Sequence, residues 1–134
     1  MRKLEDLTAF VVDDEEVELI LAQRILLIKR LASEIKTFRT GKALISAINN
    51  EDLMPDYVLL NYRMNGENGL DILKTIYEAH NTHSGSLPYF ILTSSTLDLT
   101  DLNDIGNDKY IDGFINKPII PQKLKQILER LFEI

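Results

Sequence analysis

Short apolar runs that each stop abruptly at a polar residue constrain this chain more than any other feature. AFVVDD stops at Asp13 and Asp14, YVLLN at Asn61, YFILT at Thr93, and GFINKP at Lys117 and Pro118. Runs this short and this continuously apolar match strands buried on both faces. Longer segments with helical spacing lie between them. Val17, Leu21, Ile25 and Ile28 form one stripe over 15–30. Leu44, Ile45 and Ile48 form another over 41–50, and Leu70, Leu73, Ile76 and Tyr77 a third over 69–79. Glu15, Glu16 and Glu18 open the first of these helices, and Lys29 and Arg30 close it, as the helix dipole favours. Pro121 opens a last helix carrying Leu124, Ile127, Leu128 and Leu131. The segment 99–108 has Leu102 and Ile105 at helical spacing, weakened by Gly106 and two asparagines.

Strands over 7–12, 35–38, 57–60, 89–93 and 113–116 therefore alternate with helices. That alternation predicts an α/β fold, a parallel sheet with helices on both sides. Right-handed crossovers narrow it to a doubly wound, flavodoxin-like three-layer sandwich with strand order 2-1-3-4-5. The more polar strand 35–38 belongs at an edge. NGENG over 65–69 reads as a turn, and HNTHSGS over 80–86 as a polar loop. The expectation is one domain over 1–134, with the last helix running to the end and no output domain attached. There is no cysteine, which excludes disulfides and thiolate chemistry. The net charge of −6 argues against nucleic acid as a partner. The apolar stretch near 25–28 is too short to span a membrane, and MRKLEDL has acids where a signal peptide needs an apolar region. These features predict a cytoplasmic protein.

In a sheet of this kind ligands bind at the carboxyl ends of the strands, near the switch in strand order. The polar residues that end the runs fall there. Two adjacent carboxylates repel, and a hard, oxygen-preferring cation such as Mg²⁺ relieves that repulsion. A hydroxyl at Thr93 and an ammonium at Lys117 suit a phosphoryl group. Read singly, each residue has a simpler role: Asp14 can cap the following helix, Thr93 can end its strand, and Lys117 can be solvated. Asn61 is the misfit, a neutral amide where a nucleophilic carboxylate would complete the site. His80 and His83 lie in a polar stretch with no third ligand nearby and read as solvated. No glycine-rich phosphate loop follows the first strand, and the acids there would repel the phosphate of a flavin carrier.

VVDDE, LLNYRMNGENGL, ILTSS and GFINKP resemble, in order and spacing, the four sequence blocks of bacterial response-regulator receiver domains. The likeness covers essentially the whole chain and points to a single-domain receiver similar to the chemotaxis type. It implies that Asp13 and Asp14 hold Mg²⁺ together with residue 61 and the backbone carbonyl of Arg63. It implies that residue 61 accepts a phosphoryl group from a histidine kinase or phosphotransfer protein. Thr93 and Lys117 would contact that group, Phe114 would change rotamer with Thr93 during switching, and the Lys117–Pro118 bond would be cis. A downstream protein would read the result.

Two positions depart from the pattern. Asn61 stands at the phosphoacceptor, and a carboxamide cannot form the acyl phosphate. It ligates metal without a full charge, so Mg²⁺ binding is expected to be weak. Asn65 stands where the family usually has proline. Natural drift and deliberate isosteric substitution would both leave such an amide. The expected function is a phosphorelay receiver acting through protein–protein contacts, unphosphorylated at residue 61, and not an enzyme. The competing reading is a metal-dependent phosphoryl-transfer enzyme using the acidic pair.

Overall fold

Alternate residues of a strand face opposite sides of its sheet, so a strand apolar at every position needs cover on both. The computed structural model describes residues 2–50, 54–80, 87–95 and 99–134, and its sheet meets that need. Numbering only the strands of this sheet, the order of elements is β1 (Thr8–Val12), α1 (Glu16–Ile28), β2 (Glu34–Phe38), α2 (Gly41–Asn49) and β3 (Tyr57–Asn61). It continues through α3 (Gly69–His80), β4 (Tyr89–Ser94), α4 (Leu99–Gly106), β5 (Gly113–Asn116) and α5 (Pro121–Phe132). The strand order is β2-β1-β3-β4-β5 and every pairing is parallel. The doubly wound fold and its order are those read from the sequence, with the polar β2 at an edge.

The alternation of side chains sorts the core into two layers. Ala9, Val11, Tyr57, Leu59, Ile91 and Ile115 face α1 and α5, against Leu26, Leu124 and Leu128. Phe10, Val12, Val58, Leu60, Phe90 and Leu92 face the other way, against Leu44 and Ile48 of α2 and Ile72, Leu73 and Ile76 of α3. Thr40 caps α2 by accepting from the Ala43 N–H at 3.0 Å, and Asn68 does the same at α3 for the Leu70 N–H at 2.8 Å.

The expected stripe on α1 is a correction. The helix buries Leu19, Ala22 and Leu26 instead. Val17, Leu21 and Ile28 are exposed, and Ile25 is half-buried. EVELILAQRILLI is apolar around most of its circumference, so periodicity offers two stripes. Packing selects the one containing the small Ala22, which lets the helix approach the sheet. Two further differences are local. The stretch 65–69 is not one turn: Asn65 and Gly66 join two short antiparallel strands, Arg63–Met64 and Glu67–Asn68. The third helix extends through His80, whose Nε2 lies 2.9 Å from Asn49 Oδ1, so His80 is a helix-end residue; His83 and the rest of the 81–86 stretch lie outside the described residues.

Candidate functional site

Parallel pairing brings the strand ends to one edge. Asn61 and Thr93 are direct register partners at the ends of β3 and β4. Asp13 follows β1, and its backbone N–H donates to the Phe38 carbonyl on β2, which holds it in line with the sheet. Lys117 follows β5 and donates a backbone hydrogen bond of 2.8 Å to Ser94. The Lys117–Pro118 peptide is cis. Asp13, Asn61 and Thr93 are all buried, and the Lys117 side chain is only 10% exposed.

Most of the polar side chains here are engaged within the protein. The Lys117 ammonium is ion-paired with Asp13, and Glu18 Oε2 of α1 lies 3.8 Å from the same Nζ. The other Asp13 oxygen accepts from the Glu15 N–H at 3.0 Å. Asp14 Oδ2 accepts from the Asn65 N–H at 2.8 Å, and Arg39 donates to the Asp14 carbonyl at 2.9 Å. The Asn61 Nδ2 donates to the Arg63 carbonyl at 2.8 Å. That contact would be impossible for an ionised aspartate, which offers only acceptors. Among the described residues no buried side-chain nitrogen or oxygen lacks a hydrogen-bond partner.

Phe114 pairs in register with Leu92 and is half-buried against the layer containing Phe90 and Leu92. Two residues at the site gave no usable sequence signal. Asp101 of α4 is buried, accepts from the Tyr62 hydroxyl at 3.2 Å and is ion-paired with Arg63. The Arg63 guanidinium also sits 5.2 Å from the centre of the Tyr62 ring. Burial, reinforced by the Asp101 carboxylate, outweighs the hydrogen bond from Asn68 and the Arg63 charge and pushes the Tyr62 phenol above its ordinary value. Tyr62 thus stays a neutral donor. The strand-end residues were visible as polar stops after apolar runs, whereas a lone aspartate on a weakly patterned helix looks solvated.

The oxygens gathered here are of the kind a hard cation takes: the Asp13 and Asp14 carboxylates, the Asn61 amide oxygen and the Arg63 carbonyl. In kind they fit Mg²⁺. In charge they fall short by one carboxylate, and among the described residues no group of three or more acidic or histidine side chains could hold a metal.

A doubly wound sheet with an acidic pair, a hydroxyl and a lysine at its carboxyl edge is the arrangement of a signal-receiving module. The chain belongs to the response regulator receiver domain family, whose model matches residues 9–129. Receiver domains are signalling modules of two-component systems, generally not enzymes, and typically bind Mg²⁺ at an acidic pocket. Solved structures share the fold. A two component response regulator from Cytophaga hutchinsonii superposes with a TM-score of 0.81 at 20% identity, over 95% of this chain and 97% of that one. A CheY-like response regulator receiver domain from Methylobacillus flagellatus gives 0.75 at 19% identity, over 93% and 98%. The D1050A mutant of the receiver domain of the histidine kinase CKI1 from Arabidopsis thaliana gives 0.79 at 15% identity, over 98% and 93%. No curated protein matches the sequence. Among the described residues no helix is long and apolar enough to cross a membrane.

Proposed function

We propose that this protein is a cytoplasmic receiver, a single unit over 1–134, that signals by protein–protein contact and takes no phosphoryl group at residue 61. One observation carries the reading: the acceptor position holds an amide whose Nδ2 is spent on the Arg63 carbonyl. An amide is not a competent nucleophile toward phosphorus here, because the acyl phosphate needs a carboxylate oxygen. The partners are a histidine kinase or phosphotransfer protein on one side and a downstream protein on the other.

Asp13, Asp14, Asn61 and the Arg63 carbonyl would hold Mg²⁺, weakly for want of the third charge. When bound, the ion would supply positive charge against a phosphoryl oxygen. In the ordinary chemistry of such a site Thr93 would donate to a phosphoryl oxygen, Lys117 would leave Asp13 to pair with it, and Phe114 would follow Thr93 inward. Catalysis of phosphoryl transfer rests on positioning and charge, which Asp13, Asp14, Thr93 and Lys117 would supply around residue 61.

The test is treatment of the parent protein and Asn61→Asp with acetyl phosphate and Mg²⁺, read by intact mass. The expected result is an adduct on Asn61→Asp and none at residue 61 of the parent. An adduct on Asn61 itself would overturn the proposal. An unmodified Asn61→Asp would show that the site has decayed beyond residue 61. Repeated release of phosphate would instead favour a metal-dependent phosphoryl-transfer enzyme.

A further inference from the structure

The segment 65–69 contains two Asn-Gly pairs, Asn65–Gly66 and Asn68–Gly69. In such a pair the glycine backbone nitrogen can reach the amide carbonyl of the preceding asparagine, because no Cβ obstructs it and the backbone turns freely. The fold treats the two pairs oppositely. Gly69 is buried, and its N–H donates to the Tyr62 carbonyl at 2.6 Å. Asn68 Oδ1 is engaged by the Leu70 N–H at 2.8 Å. A Cβ on Gly69 would lie 3.1 Å from the Asn61 carbonyl oxygen, so that backbone has little room to rearrange. Asn65 and Gly66 are both exposed, Gly66 has φ 74°, and nothing lies within 4 Å of where its Cβ would be. The Asn65 backbone N–H donates to Asp14 Oδ2 at 2.8 Å, so residue 65 adjoins the acidic pair.

We propose that Asn65–Gly66 is a self-modification site, at which Asn65 converts to aspartate or isoaspartate and adds a carboxylate beside Asp14. The Gly66 nitrogen attacks Asn65 Cγ, a new bond from that nitrogen to Cγ closes a succinimide, and the bond from Cγ to Nδ2 breaks. The Gly66 amide proton leaves with the departing nitrogen as ammonia. Water then opens the ring at either carbonyl, giving aspartate or isoaspartate. Water is the sole co-reactant. The new charge partly replaces the one absent at Asn61, so the chemistry slowly raises the cation affinity of the pocket. The conversion itself is independent of whether residue 61 is ever phosphorylated.

The experiment incubates the intact protein and a synthetic peptide of residues 62–70 side by side at mildly alkaline pH. Peptide mapping with isoaspartate detection follows both asparagines. Asn65 of the protein is expected to convert within about threefold of the peptide rate. Asn68 is expected to lag its peptide by about tenfold or more, because its hydrogen-bonded backbone must open first. Retardation of Asn65 equal to that of Asn68 would overturn the proposal, as would product at residue 65 in Asn65→Gln. The charge effect is read separately by Mg²⁺ titration of fresh parent protein and Asn65→Asp. Binding about three- to tenfold tighter is expected, the scale of one charge acting on a divalent ion near water. Equal affinities would overturn the claim that the new carboxylate reaches the acidic pair.

Discussion

Asn61 differs from aspartate by one NH₂ in place of an oxygen, and that exchange turns an acceptor into a donor. Donation to the Arg63 carbonyl engages an oxygen that a cation would use, and the lost charge weakens what remains. Titration with Mg²⁺ should therefore show tighter binding to Asn61→Asp than to the parent; equal affinities would mean residue 61 takes no part. Lys117 is the second donor that quiets the site. Lys117→Gln leaves the Asp13 carboxylate, 3% exposed, without its ammonium partner. The variant should lose about 3 kcal/mol in urea unfolding, the scale of a broken buried ion pair. Millimolar Mg²⁺ should restore part of that loss, and an unchanged unfolding midpoint would show that the pair contributes nothing. Asp56 sets an acid limit elsewhere. Burial pushes its carboxyl up, but the Arg2 hydrogen bond and charge and the Thr8 hydrogen bonds prevail, so its pKa is lowered on folding. Its contribution is complete above the unfolded carboxyl value and disappears as pH falls through the native one. Asp56→Asn should flatten the acid side of the stability–pH curve, measured as melting temperature between about pH 5 and 2.

Among the elements, α1 separates what a pattern can reveal from what only packing decides. Strands β1, β3 and β4 were legible because a continuous apolar run ended by a polar residue has few other uses. The edge position of β2 was legible from its Lys36 and Thr37. The buried side of α1 was not, since a helix apolar nearly all round carries two candidate faces. Truncation distinguishes them. Leu26→Ala should cost about 2–5 kcal/mol, because it opens a cavity in the sheet-facing layer. Ile28→Ala, on the other stripe and 72% exposed, should stay within about 0.5 kcal/mol. Similar losses for the two would return the helix to the wrong face. The α4 link was hidden for another reason: Asp101 meets Tyr62 and Arg63, which lie far from it in sequence. Asp101→Leu removes the bonds to Tyr62 and Arg63 and should destabilise the fold and speed hydrogen exchange in α4. An α4 as protected as in the parent would remove Asp101 from any role in anchoring it.

Across the whole molecule, connectivity matters as much as contact. Because β1 lies between β2 and β3, the first half of the sheet is complete once β3 has formed, while β4 and β5 add outward from it. The site is divided along the same line. Asp13, Asp14 and Asn61 belong to the early strands, Thr93 and Lys117 to the late ones. Non-local parallel pairings are slow to form, so the interval between the two halves is not negligible. On a ribosome, that interval becomes a stretch of synthesis. The nascent polypeptide displays Asp13 without the ammonium that pairs with it until residue 117 has left the exit tunnel. During that time the acidic corner is open to whatever cation the surrounding fluid offers. Magnesium would therefore meet the newborn protein and the finished one on different terms.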